Sequence, residues 1–139
     1  MCYKKFENAK SFLAAEQHCK SKGGNLALIS SETENEMVGA VGGSGMFWIG
    51  LWSGHENKCN KAKTSWVWTE GTPNTGFNRW GNAQSGQGWN PPDCNVGSSQ
   101  GMAAMFNFPR QNNRWEDTTI SGVRTFVCGM SEAKIGMWA

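Results

Sequence analysis

Apolar residues recur with a helical period in the first third of this chain and with a strand period after it. Cys2 to Phe6 reads as a short strand, with Tyr3 and Phe6 as aromatic anchors. From Ser11 to Ser21 the period turns helical, because Phe12, Ala15 and Cys19 share one face by their i, i+3, i+7 spacing. Ser11 suits the N-cap, and Gly23 with Gly24 stops the helix, as left-handed C-terminal positions prefer. A short apolar run, Leu26, Leu28 and Ile29, leads to Ser31 and Glu34. These two have the spacing of a capping box and predict a second helix. That helix carries Met37, Val38 and Val41 and ends in the glycines at 42 and 43.

Strand-like segments follow. Phe47 to Leu51 is a compact apolar run between glycine-rich flanks, too short for a helix. Trp66 and Trp68 alternate about Val67 in a further strand. Met102 to Phe106 and Arg124 to Cys128 close the chain, with Asn112 to Asp117 between them. Gly71 to Gly101 has almost no periodicity and is rich in Gly, Pro, Asn and Ser, with isolated Phe77, Trp80 and Trp89. Structureless segments longer than ~15 residues are uncommon inside compact domains and usually carry function.

The chain has 139 residues, the size of one domain, read as a core over 2–129 and a short tail over 130–139. Eighteen glycines and eight tryptophans suggest a loop-rich fold around an aromatic core. The formal net charge of +2 gives no electrostatic case for nucleic acid or a membrane surface, and the basic residues are scattered. No apolar stretch approaches the ~20 residues of a membrane span. The five cysteines, Cys2, Cys19, Cys59, Cys94 and Cys128, include no Cys-x-x-Cys pair, and the two histidines are His18 and His55, which argues against zinc. An odd count leaves at least one cysteine without a partner in its own chain. No hydroxyl or thiol has a recognisable base beside it, so the chain reads as a binder and not an enzyme.

Five markers in order resemble the C-type lectin-like domain family. They are Cys2-Tyr3-Lys4; the helix ending in Cys19 with Gly23-Gly24-Asn25-Leu26; Trp48-Ile49-Gly50-Leu51; Trp66-Val67-Trp68-Thr69-Glu70-Gly71 with the later Asp93-Cys94; and Trp115-Glu116-Asp117 with Phe126-Val127-Cys128. The resemblance implies an α+β fold of two helices, small antiparallel sheets and a long irregular loop. Trp48, Ile49, Leu51, Trp66 and Trp68 are then core residues, and Gly50 lets neighbouring backbone come close. The resemblance also implies a Cys19–Cys128 disulfide. The cysteine that would normally pair with Cys94 is replaced by Ile120. Cys2, Cys59 and Cys94 are therefore unassigned: a Cys2–Cys59 bridge, a bridge from Cys94 to Cys59 or Cys2, a free thiol and a link between chains all remain open.

Sugar-binding members of that family hold a calcium ion that also takes two vicinal sugar hydroxyls. Calcium needs ~6–8 oxygen ligands, which carboxylates and amide carbonyls supply. The matching positions here are Gln84, Asp93, Glu116 and Asp117, with Trp89, Asn90, Glu116 and Asp117 as the expected sugar contacts. The match is partial. Glu116 stands where the family has asparagine, Ser85-Gly86 follow Gln84 where a proline and a further ligand are usual, and Pro92 precedes Asp93 where glutamate is common. Asn90-Pro91-Pro92-Asp93 offers a shifted ligand pair. The expected function is a secreted, extracellular carbohydrate-binding module with calcium as cofactor and a carbohydrate or glycoprotein as ligand. The alternative is a protein-binding or structural lectin-like domain with a degraded site. A disulfide-linked or other homo-oligomer is compatible with either.

Overall fold

The computed structural model describes residues 1–59, 65–74, 76–80, 94, 101–108 and 114–131. Among them the elements run β1 (Cys2–Lys10), α1 (Phe12–Ser21), β2 (Asn25–Leu26), α2 (Glu32–Gly42), β3 (Gly45–Trp52), β4 (Val67–Trp68), β5 (Met102–Phe108), β6 (Arg114–Thr119) and β7 (Arg124–Met130). The strands join in one sheet ordered β1-β7-β3-β5-β6, with β2 on β7 and β4 on β3. The expected small antiparallel sheets are thus one mixed sheet, because β3 and β7 pair in parallel, Phe47 beside Thr125 and Trp48 beside Phe126. β6 begins inside the Asn112–Asp117 interval, to which the sequence assigns no element, and runs past it to Thr119. Its antiparallel partner β5 overrides the weak local preference, aligning Ala104 with Asp117 and Met105 with Glu116.

β3 explains why its sequence is apolar without alternation. It is covered on both faces. Phe47, Ile49 and Leu51 enter one cluster with Ile29, Val38, Trp66, Trp68, Trp80, Trp115 and Val127. Trp48 enters another with Phe12, Ala15, Cys19, Leu26, Phe126 and Cys128. A strand buried on both sides reads as a continuous hydrophobic run. The side chains expected in the core, Trp48, Ile49, Leu51, Trp66 and Trp68, are all buried. Gly50 is the gap in this strand. A Cβ there would lie 2.7 Å from the Leu26 carbonyl oxygen, and the Gly50 N–H donates to the Ala27 oxygen at 2.9 Å. Close approach of two backbones demands glycine at this position.

Both helices begin where expected, with a difference at each cap. Ser11 occupies the N-cap of α1, but its side chain makes no capping hydrogen bond. Instead the Phe12 N–H donates to the Ile120 oxygen at 3.1 Å. At α2 the Ser31 hydroxyl accepts from the Glu34 N–H at 3.1 Å. Glu34 completes the box one residue early, accepting from the Ser30 N–H at 2.8 Å and the Ser30 hydroxyl at 2.5 Å. Met37 and Val41 of this helix face solvent, while Val38 and the polar Asn35 are buried.

The Cys19–Cys128 bridge is present and closes 109 residues between α1 and β7. Ile120, where the family keeps a cysteine, is half-buried and packs against the cluster on that side. The remaining pairing is Cys59–Cys94, with Cys2 as the free thiol. A Cys2–Cys59 bridge is therefore excluded: Cys2 sits on the outer strand β1, while Cys59 and Cys94 belong to the opposite cluster.

Candidate functional site

The site is built on β6. Alternation along a strand sends successive side chains to opposite faces, and here Trp115 and Asp117 are buried while Arg114 and Glu116 are half-buried. Trp115 is fixed on all sides. Its indole N–H donates to the Asn35 amide oxygen of α2 at 2.9 Å, and its ring meets those of Trp68, Phe77 and Trp80 edge-on at 5.7, 6.1 and 5.9 Å. Its backbone N–H donates to the Arg79 oxygen at 2.8 Å, and Trp80 pairs with it in an isolated parallel bridge. The Arg114 guanidinium donates to the Trp80 oxygen at 3.0 Å. Residue 80, the last one described before segment 81–93, is thus tied to β6 through backbone, ring and guanidinium.

Residue 94, the first one described after that segment, is tied to the same strand two positions on. The Asp117 carboxylate accepts from the Cys94 N–H at 3.0 Å, and Cys94 is bridged to Cys59. Cys94 has a positive φ of 50°, a conformation unusual for a residue with a Cβ, and these two restraints hold it there. Trp115 and Asp117 therefore grip the two ends of segment 81–93. Its Gln84, Trp89, Asn90 and Asp93, all expected site residues, lie outside the described residues.

The two expected site residues that are described do not converge. Asp117 is 7 % exposed and turned toward Cys94. Glu116 is on the other face, where its carboxylate acts on Arg124 of β7. Burial lowers the Arg124 pKa and Glu116 pulls it back up. That guanidinium lies 5.5 Å from the centroid of the Trp48 ring.

The donor chemistry around Asp117 bears on the expected calcium. Its carboxylate oxygen is a hard donor suited to the ion. The atoms nearest it in a potential ligand cluster are the Cys59 and Cys94 sulfurs, buried and already bonded to one another, which calcium does not use. Among the described residues Asp117 is the one oxygen donor of the expected set that faces the ends of segment 81–93.

Residues 8–130 match the model of the Lectin C-type domain family. The chain belongs to this family. Its members are binding domains and not enzymes, and this lectin domain is one of them. It is 38 % identical over 73 residues to the lactose-binding lectin l-2 of Anguilla japonica, covering 51 % of this chain and 40 % of that one. It is 29 % identical over 136 residues to the alpha-N-acetylgalactosamine-specific lectin of Patiria pectinifera, covering 94 % of this chain and 74 % of that one. Among solved structures the mouse scavenger receptor C-type lectin carbohydrate-recognition domain superposes with a TM-score of 0.69 at 24 % identity, over 91 % of this chain and 87 % of that one. The lectin domain spans 40 %, 32 % and 11 % of the lengths of three curated relatives it matches.

Sequence reasoning missed one part of this site and left another open. Asn35 is a polar residue on a helix whose capping pattern was clear, and its role as acceptor for Trp115 has no local signal. The Cys59–Cys94 bridge joins segments 35 residues apart and was one of several open pairings.

Proposed function

We propose that this lectin domain binds carbohydrate at the β6 edge, through segment 81–93 together with Asp117. Family membership and the sugar-binding relatives support the ligand class. The observation that carries the location is the double attachment of segment 81–93, at Trp80 to Trp115 and at Cys94 to Asp117. By sequence, segment 81–93 carries four amide side chains and the Asp93 carboxylate, oxygen donors of the kind that calcium and sugar hydroxyls take. Trp89 and Asn90 are the proposed sugar contacts. Gln84, Asp93 and Asp117 are the proposed oxygen donors for calcium. Glu116, on the face of β6 opposite Asp117, is the member of the expected set that this geometry favours least. Calcium, when bound, would present open coordination positions to sugar hydroxyls. Two disulfides suit an oxidising, extracellular setting. Among the described residues no helix is long and apolar enough to cross a membrane.

A second reading, a lectin-like domain that binds protein without calcium, is favoured by one observation. The Asp117 carboxylate already accepts the Cys94 N–H beside a disulfide, and Glu116 faces away. Thermal melting with calcium and with a chelator separates the two, because a ligand of the folded state raises the melting temperature with its concentration. A glycan array run under both conditions, on the wild type and on Asp117→Ala, completes the test. Chelator-sensitive sugar binding lost in the variant supports the first reading. A calcium-independent melt with no glycan bound supports the second.

A further inference from the structure

The chain turns tightly just after β3, and His55 faces Lys58 there in an isolated antiparallel bridge. Residues paired in this way carry their side chains on one face, with Cβ atoms ~4.5–5.5 Å apart. The backbone of the turn is held at several points. The Ser53 hydroxyl donates to the His55 oxygen at 3.2 Å and accepts from the Met102 N–H at 3.1 Å. The Gly101 N–H donates to the Glu56 oxygen at 2.8 Å, and a Cβ at Gly101 would overlap the His55 oxygen. Cys59, the residue after Lys58, is bridged to Cys94.

Ser53, His55, Lys58 and Ser65 line a cavity of about 110 Å³. Ser53 is buried and the other three are exposed, so the cavity opens to solvent. Pockets that enclose a whole small molecule run to about 300–1,000 Å³, so this one takes a single group of a ligand or a small ion. Its lining presents an ammonium, an imidazole and two hydroxyls, and among the described residues no carboxylate. Glu56, between His55 and Lys58 in the turn, is exposed and does not line it. Among the described residues the ion pairs are Lys5–Glu7 and Arg79–Glu32, and neither His55 nor Lys58 enters one.

We propose that this cavity binds one tetrahedral oxyanion, a phosphate or sulfate group, independently of calcium and of the β6 edge. Lining without a carboxylate and with a lysine selects an anion. A planar carboxylate is met best by the two-pronged guanidinium of an arginine, and no arginine lines the cavity among the described residues. The Lys58 ammonium is a compact charge with three rotatable donors, and an imidazole stands beside it across the bridge. Donors of this kind, placed around a small space, suit a group whose oxygens point in several directions. Because Ser53, Gly101 and the Cys59–Cys94 bridge already fix the turn, binding orders side chains and little backbone.

The probes are inorganic phosphate and inorganic sulfate, titrated at fixed pH and constant ionic strength, with acetate and chloride as comparators. The two histidines give a local readout by proton NMR. Either oxyanion should shift the His55 ring resonances to saturation and leave those of His18 unmoved, and the effect should persist in chelator and in Asp117→Ala. Lys58→Ala should weaken binding on the order of tenfold or more, the scale of a hydrogen bond to a charged group. Lys58 is exposed, so this variant should melt like the wild type. Glucose 6-phosphate, with glucose as its control, distinguishes the source of the group: tighter binding than inorganic phosphate assigns the cavity to an ester, weaker binding to the free ion, and each supports the oxyanion. The proposal is overturned if neither oxyanion gives a saturable shift at His55, or if acetate or chloride gives the same shift at the same concentration. Affinity unchanged in Lys58→Ala, or lost with chelator or in Asp117→Ala, overturns it as well.

Discussion

The two disulfides hold two regions of different construction. Cys19–Cys128 joins α1 to β7, where Phe12, Trp48, Leu26 and Phe126 are wholly buried around it and β7 has strands on both sides. Cys59–Cys94 lies at the other side of the sheet, between segments outside regular secondary structure, and its Cys94 depends on one carboxylate for its backbone orientation. In the first region the bridge reinforces an arrangement that packing already dictates. In the second the bridge is also buried in a hydrophobic cluster, but it joins two segments that no strand or helix holds, and Asp117 fixes the backbone at Cys94. A rigid frame and a tethered edge suit a binding domain, because the frame can stay constant while the edge varies in sequence.

The largest expected effects come from removing each bridge. In the chain-entropy model, closing 109 residues is worth about 4.8 kcal/mol and closing 35 residues about 3.8 kcal/mol, a gap of only about 1 kcal/mol. Denaturant melts of Cys19→Ala/Cys128→Ala and Cys59→Ala/Cys94→Ala give the comparison. A gap well above that value would show that packing around Cys19–Cys128 contributes beyond entropy. Equal losses would abolish the distinction drawn here between frame and edge.

Gly50→Ala probes the frame without touching a disulfide. The new Cβ would meet the Leu26 oxygen at 2.7 Å and the Ala27 oxygen at 3.1 Å, backbone atoms that cannot move aside cheaply. The expected loss is about 2–3 kcal/mol by overpacking. A neutral result would mean that the β2–β3 contact is looser than the geometry indicates.

Asp117→Asn probes the edge. The amide keeps an oxygen for the Cys94 N–H but loses the charge that strengthens the bond, so stability should fall by about 1 kcal/mol while any calcium-dependent ligand binding falls much further. Loss of stability and binding in step would make Asp117 a structural clamp alone.

The smallest effect is a pH dependence belonging to the frame. Burial, then the charges of Lys10 and Lys22, hold the His18 pKa below its ordinary value. The unfolded chain therefore takes up this proton first as pH falls. The stability from neutral His18 is complete above the ordinary pKa, declines as pH drops toward the depressed one, and is flat below it. His18→Gln should flatten that portion of the stability–pH curve. An unchanged slope would assign the dependence to another group.

Local periodicity was enough for the elements whose side chains report their own burial. The i, i+3, i+7 face of α1, the Ser31–Glu34 signal and the apolar run in β3 each appear where their patterns put them. β6 did not announce itself, because a segment reading Arg-Trp-Glu-Asp-Thr-Thr owes its strand state to the hydrogen bonds of β5. The same holds for the candidate site. Trp115 and Asp117 were legible as a motif, but adjacency in sequence suggested that Glu116 and Asp117 act together. The pleat of a strand sends them apart.

What the sequence by itself determined is the family, the two helices, the buried tryptophans and the partnership of Cys19 with Cys128. These rest on short-range periods or on motifs whose order suffices. Only the tertiary structure decided which cysteine meets Cys94, which carboxylate faces the edge, and what satisfies the Trp115 indole. Each of these joins residues distant in the chain or chooses between two faces of a strand. Such choices are settled by the free energy of packing the whole sheet, which no local window contains.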